Sequence, residues 1–182
     1  MKIPDRVNVC GISAEVIKKD HTYDDGRYSW GGYFDAISHE IILYTRYAHM
    51  ANDGITSIIT RPHNENCKSF CHELWHLLTS DYSFADTTKS EFSSEMFSTV
   101  ATKVKQGNGW LDLDNDIMDI FSEFKSLVTE IEENDYRKIE YFIKNTHFEY
   151  DNPEGATVVD KQEPIEETEA AESYLEKWSA GR

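Results

Sequence analysis

His72, Glu73 and His76 stand in the stretch SFCHELWHLL, Ser69 to Leu78: two imidazoles four residues apart, with a carboxylate directly after the first. On a helix, residues i and i+4 share one face with Cβ atoms ~5–6 Å apart, so both rings reach a single ion at the ~2.0–2.1 Å of an imidazole–zinc bond. Glu73 lies one step around the helix, alongside such an ion without ligating it, where a general base for an attacking water belongs. A zinc ion held there brings the pKa of a water from about 15.7 towards ~7 and polarises a carbonyl under attack. Exchanging histidine and glutamate in this pattern loses either a ligand or the base.

Chance alone places H-E-x-x-H in roughly a few per cent of shuffled chains of this composition, so the setting matters. The motif lies inside an apolar-periodic helix, whereas an exposed coincidence belongs in a polar segment. Two buried histidines and a glutamate without an ion need other polar partners. A catalytic zinc takes three protein ligands and leaves one position open. The metzincin continuation is absent, because Thr79 and Tyr82 occupy the places of its Gly and His. The candidates for the third ligand are Glu91, fifteen residues after His76, and Glu95 one turn later. An antiparallel helix pair joined by the loop SDYSFAD turns both acids towards the ion. Either can ligate while the other accepts the remaining imidazole N–H and fixes the ring tautomer. Glu91 also completes a capping box with Thr88, Thr88-Lys-Ser-Glu91, and His147 is a more distant candidate ligand.

The elements that must position these groups follow from periodicity. The first sixty residues read as strands. Val7 and Val9, then Ile12, Ala14 and Val16, alternate with the phase broken at Cys10-Gly11, as a turn or bulge breaks it. Gly31-Gly32 is followed by a polar turn at Ser38-His39, the β-rich run Ile41–Tyr44, and a strand over 55–60 ended by Arg61-Pro62. Beyond Pro62 the period becomes helical. A first helix, capped by Asn64 or Asn66, runs to about Thr79 with Cys67, Phe70, Cys71, Leu74, Leu77 and Leu78 on its apolar face. A second fits Thr88 to about Lys105 and stops at Gly107 to Gly109. A third fits Asn115 to Glu133, and a shorter fourth starts at Asp135. From about Asp151 the chain turns polar, so the expected organisation is one α+β domain over 1–150 and an acidic tail over 151–182.

Composition narrows the function classes. The 182 residues carry 18 basic and 34 acidic side chains, a formal charge of −16, which argues against direct nucleic-acid binding through phosphate neutralisation. The excess acid is concentrated beyond residue 110; the acidic third helix and tail suit a basic protein partner. No stretch approaches the roughly 20 apolar residues that span a bilayer. The start, MKIPDRVNVCG, does not read as a signal peptide, and Cys10, Cys67 and Cys71 do not form a complete disulfide framework. Both features point to a reducing cytoplasm, with Cys67 and Cys71 as small buried hydrophobes. Asp112, Asp114, Asp116 and Glu123 fall at calcium-loop positions 1, 3, 5 and 12, but Ile117 replaces the glycine at position 6, and the apolar period through Phe124 reads as helix.

At HELWH followed by EFSSEMFSTVA the chain resembles the gluzincin clan and, within it, the small prokaryotic and phage zinc metallopeptidases of the ImmA/IrrE type. The likeness covers roughly residues 30–105. It is specific at the five-residue motif and looser elsewhere: Trp75 stands where that family commonly has Gly, and Ser94-Glu95 replaces Ala-Asn. The resemblance implies a zincin-like fold with N-terminal antiparallel strands, an active-site helix, a ligand-bearing helix and C-terminal helices. It places Glu91 on the family's ligand glutamate and Glu95 on the residue that supports a ligand histidine. It implies one Zn2+ per chain and a protein substrate such as a repressor; with no helix-turn-helix evident, any DNA-linked role is indirect. The leading expectation is a zinc endopeptidase in which His72, His76 and Glu91 hold the ion, Glu73 is the base, and Ile41–Tyr44 pairs with an extended substrate. The competing expectation is an acidic binding or inhibitor protein on the same scaffold, its metal structural or absent.

Overall fold

The Cys10-Gly11 break is a tight turn. In a computed structural model that describes residues 2–22, 31–50, 56–80, 90–104, 113–129 and 131–151, both residues have positive φ, 52° and 87°. This is the backbone handedness that two-residue hairpins require and that glycine adopts without strain. The turn joins β1 (Arg6–Val9) to β2 (Ile12–Thr22) with Val9 opposite Ile12. β3 (Gly32–Asp35) and β4 (Glu40–Met50) form a second hairpin whose turn is held by Asp35 Oδ1 accepting from the Ile37 N–H at 2.9 Å. β5 (Thr56–Thr60) follows, and β6 (Thr146–Glu149) comes only after the helices.

These six strands make one mixed sheet in the order β3-β4-β2-β1-β6, with β5 also paired to β4. The expected antiparallel arrangement holds for every pair except β2–β4, which runs parallel. The connection carrying β3 lies between them and returns the chain in the same direction. β4 is long enough to hold two partners on one edge: Glu40–Leu43 pair with β3, and Arg46–Met50 with β5. Ile41–Tyr44 therefore has neighbours on both sides and offers no edge to a substrate; that expectation fails, and the outermost strand here is β3. The regular alternation of Thr146, His147, Phe148 and Glu149, buried then exposed, is a strand signal that four residues after a helix are too few to reveal.

Four helices lie among the described residues: α1 (His63–Ser80), α2 (Ser90–Val104), α3 (Leu113–Leu127) and α4 (Glu133–Lys144). α1 begins earlier than an Asn64 or Asn66 cap implies, because the Pro62 carbonyl accepts from the N–H of Glu65 and Asn66 and opens the helical ladder itself. α3 ends six residues sooner than its apolar period suggests. Its end is fixed by tertiary contact, where the Tyr136 hydroxyl of α4 donates to the Val128 carbonyl. Glu133 consequently belongs to α4. Ile117, expected to deny a calcium loop, is buried on α3. The Thr88 cap, the glycines at 107 and 109 and the tail over 152–182 lie outside the described residues.

The helices cover one sheet face. Val7, Val9, Ala14, Val16, Ile41, Leu43 and Phe148 alternate along their strands and join Phe70, Leu74, Leu78, Ile120 and Ile143 in a single core. At its centre Trp75 of α1 meets Phe97 of α2 and Phe124 of α3, ring centroids 4.8 Å and 4.5 Å away. Phe124 is fully buried, so Phe124→Ala is expected to cost about 3–5 kcal/mol in urea unfolding. Ile37→Ala, at a side chain 96% exposed in the β3–β4 turn, is expected to change stability by less than about 0.5 kcal/mol. Equal effects would mean that the aromatic trio does not organise the core.

Candidate metal centre

α1 carries two faces. Phe70, Cys71, Leu74, Trp75, Leu77 and Leu78 point into the core, and the residues left over at spacings of three and four, from Glu65 through Ser69 and His72 to His76, form a polar stripe. That stripe is the floor of a cleft of about 690 Å³. β3 with Gly31 and Ala36 forms one wall, and Glu91 and Glu95 of α2 form the other. α1 and α2 are antiparallel: Lys68 meets Glu95, His72 meets Ser94, and His76 meets Glu91. Ser80 of the SDYSFAD stretch ends α1 and its other residues lie outside the described ones, but the helix pairing the loop was expected to produce is present.

Three ligand atoms converge. His72 Nε2 and His76 Nε2 are 3.1 Å apart, and the two Glu91 carboxylate oxygens lie 3.4 Å from one ring nitrogen each. A tetrahedral ion with bonds of ~2.0–2.1 Å separates its ligand atoms by about 3.3–3.4 Å. The two imidazole nitrogens stand near that spacing, and Glu91, which meets the two rings with different oxygens, completes a group whose three ligand atoms lie within 4.8 Å of one another. His72, His76 and Glu91 are the one such His/Cys/Asp/Glu group among the described residues. Two imidazoles and a carboxylate suit zinc, and three protein ligands leave the fourth position to the cleft.

Glu95 approaches the other nitrogen of the His72 ring. Its Oε2 is 3.6 Å from His72 Nδ1, on the far side of the ring from Glu91, and its other oxygen is gripped by Lys68. Its carboxylate thus stands apart from the three-donor group, beside the ring nitrogen that an ion at Nε2 would leave over. The fully buried Ser94 adds a further constraint that its position in the sequence did not suggest. Its hydroxyl donates to the Glu91 carbonyl at 2.8 Å and lies 3.2 Å from His72 Nε2. Lys68 was also missed; its place four residues before His72 on one helical face was the available signal. His147 is exposed on β6, at the opposite edge of the sheet from β3, and is no ligand to this group.

Glu73 is buried, 6% exposed, while its neighbours His72 and His76 remain partly accessible. Its carboxylate accepts a hydrogen bond from the Phe34 backbone N–H of β3. The register explains the availability of that N–H. Tyr44 N–H donates to Gly31 O, so positions 31, 33 and 35 bond to β4, and the backbone groups of Gly32 and Phe34 face outward. Burial, and secondarily the Glu91 charge, push the Glu73 carboxyl from 4.5 up to about 8, against the lowering effect of the Phe34 N–H. A divalent cation at the three donors acts in the opposite sense. His76 is held below the ordinary histidine range, first by burial and then by His72, against an upward pull from Glu91. Both effects favour the neutral imidazole that a metal requires.

The geometry yields two expectations. In a titration against a competing chelator, Glu95→Ala weakens zinc binding by about 10–100-fold and Glu91→Ala weakens it further; equal losses would place Glu95 among the ligands. The second concerns the metal-free chain. Unfolding lets Glu73 ionise near 4.5, whereas the folded chain keeps the proton to about 8, so the unfolded state binds fewer protons in that window and stability falls as pH rises through it. Metal-free Glu73→Gln is therefore expected to gain stability over metal-free wild type at about pH 8, by more than at about pH 5, in urea melts. A gain independent of pH would remove Glu73 as the cause.

No helix among the described residues is long and apolar enough to cross a membrane. No family model, curated protein or solved structure matches this chain, so the likeness seen at HELWH and EFSSEMFSTVA stands on those residues alone.

Proposed function

We propose that the chain is a zinc-dependent endopeptidase of the zincin kind, cleaving an extended segment of a protein substrate. The observation that carries this reading is the joint placement of three donors within 4.8 Å of one another and a buried carboxylate beside them, all opening on one cleft under a strand edge. A purely structural metal site has no use for Glu73, whose burial beside Glu91 is unfavourable without a cation. The mixed sheet, the H-E-x-x-H helix and the second helix bearing Glu91 agree with the order expected from the gluzincin likeness.

His72, His76 and Glu91 would hold the ion, which when bound supplies Lewis acidity and an acidified water. Glu73 takes a proton from the attacking water and returns it to the departing amine. The Phe34 N–H holds that carboxylate in position, and Glu95, anchored by Lys68, holds the His72 ring. The outward backbone groups of Gly32, with the Phe34 carbonyl, pair with substrate main chain as an added strand, which selects an extended peptide over a folded one. This role falls to β3 in place of the Ile41–Tyr44 run.

The test is Glu73→Gln in zinc-loaded protein. Zinc stoichiometry by elemental analysis is expected to match wild type, while kcat for peptide cleavage falls by about 10²–10⁴-fold. A variant that keeps wild-type turnover would discard Glu73 as the base and the peptidase reading with it.

A further inference from the structure

The cleft is longer than a metal and its water require, since a water occupies only about 30 Å³ in the liquid and the cleft encloses about 690 Å³. Its far end, one turn of α1 before His72, is built from Gly31, Arg61, Glu65 and Ser69. Arg61 sits where β5 gives way to α1, its own N–H donating to the Thr45 carbonyl at 2.8 Å. Its side chain is only 12% exposed, Nη1 donates to Ser69 Oγ at 3.2 Å, and Nε stands 4.0 Å from the half-exposed Glu65 carboxylate. A Cβ on Gly31 would lie 2.3 Å from Arg61 Nη1 and 2.1 Å from Ser69 Oγ. The guanidinium and hydroxyl therefore lie against bare backbone at the start of β3, a fit that only glycine allows.

We propose that Arg61 is a specificity-determining residue, forming with Ser69 and the Gly31 backbone a subsite for a substrate carboxylate two to four residues from the scissile bond. This rests on the peptidase reading and names what that cleft selects. The spacing follows from the walls. Gly31 precedes Phe34 by three residues, about 10 Å of strand, and Phe34 marks Glu73. Ser69 precedes His72 by three residues, ~4.5 Å along α1. A peptide extended along β3 with its scissile bond at Glu73 carries a residue two to four positions away past Arg61. Lys68 also lines the cleft and is engaged by Glu95. The planar guanidinium fork suits a carboxylate, which can displace the solvent-reaching Glu65 and receive two parallel N–H bonds.

The experiment digests a proteome-derived peptide mixture with the full, zinc-loaded chain and maps cut sites by mass spectrometry, for wild type, Arg61→Met and Arg61→Lys. Wild type is expected to enrich Asp or Glu, or a free chain terminus, at one position two to four residues from the cut. In a synthetic series, replacing Glu by Gln at that position lowers kcat/KM by about 10–100-fold; amidating a peptide that ends there tests the terminal carboxylate as the alternative source. Arg61→Met is expected to abolish the preference, cutting the Glu and Gln peptides with equal kcat/KM, and a cooperative urea melt shows that it folds. Should it not fold, Arg61→Lys carries the test, keeping the charge but losing the fork and most of the discrimination. Cleavage by wild type without acid preference, or a preference that survives in both variants, overturns the subsite and leaves the peptidase reading standing. If wild type cuts no peptide, the peptidase reading fails and the subsite falls with it.

Discussion

The site depends on the apolar clamp between α1 and α2. Trp75 is wedged against Phe97 and Phe124, and this contact fixes the separation of two helices whose opposite faces carry the ligands. The donors cannot fix that separation themselves. Without a cation, Glu73 and Glu91 repel, and burial together with His72 opposes any charge on His76, so the metal centre is held in shape by packing that faces away from it. Aromatic pairs of this kind contribute about 0.5–1.5 kcal/mol each beyond the area they bury. The core can thus hold a locally unfavourable arrangement that a divalent ion would then relieve.

The sheet contributes an edge rather than a ligand. β4 is saturated on both sides, which leaves β3 outermost with the backbone groups of Gly32 and Phe34 turned towards α1. One of these, the Phe34 N–H, meets Glu73 and offsets part of the cost of burying a carboxyl. The strand that would pair with an extended peptide is therefore also the strand that positions the proposed base. Chemistry and substrate alignment share one hydrogen-bonded frame. The two glycines belong to this frame for separate reasons: at Gly31 a side chain would collide with Arg61 and Ser69, and at Gly32 a Cβ would come within 2.4 Å of the Ile42 carbonyl.

Local pattern made part of this legible in the sequence. His72, Glu73 and His76 are bound by a four-residue spacing that any helix converts into one face, and Leu74, Leu77 and Leu78 say which face is the other. The pairing of Glu91 and Glu95 with those histidines could be read as alternatives, because one turn separates them and both sit on the same side of α2. Which His72 nitrogen each carboxylate approaches could not be read, since it depends on how the two helices pack and on the contacts of Lys68 with Glu95 and of Ser94 with His72 across them. The end of α3 was misread for a similar reason: its apolar period continues, but a tyrosine hydroxyl from α4 takes the Val128 carbonyl.

The sequence by itself determined the buried stripes of the helices, the break in the strand pattern at Cys10-Gly11 and the three residues at the centre of the proposed chemistry, because each is set by interactions within about one or two turns of chain. Only the tertiary structure decided that β2 and β4 run parallel, that β6 closes the far edge, and that β3 rather than Ile41–Tyr44 borders the cleft. Strand neighbours are chosen by contacts distant in sequence, and the outward alternation along a strand is the same whichever edge it occupies. The position of Arg61 beside Gly31 is of this second kind: thirty residues apart, they meet because β4 holds β3 and the end of β5 along one side.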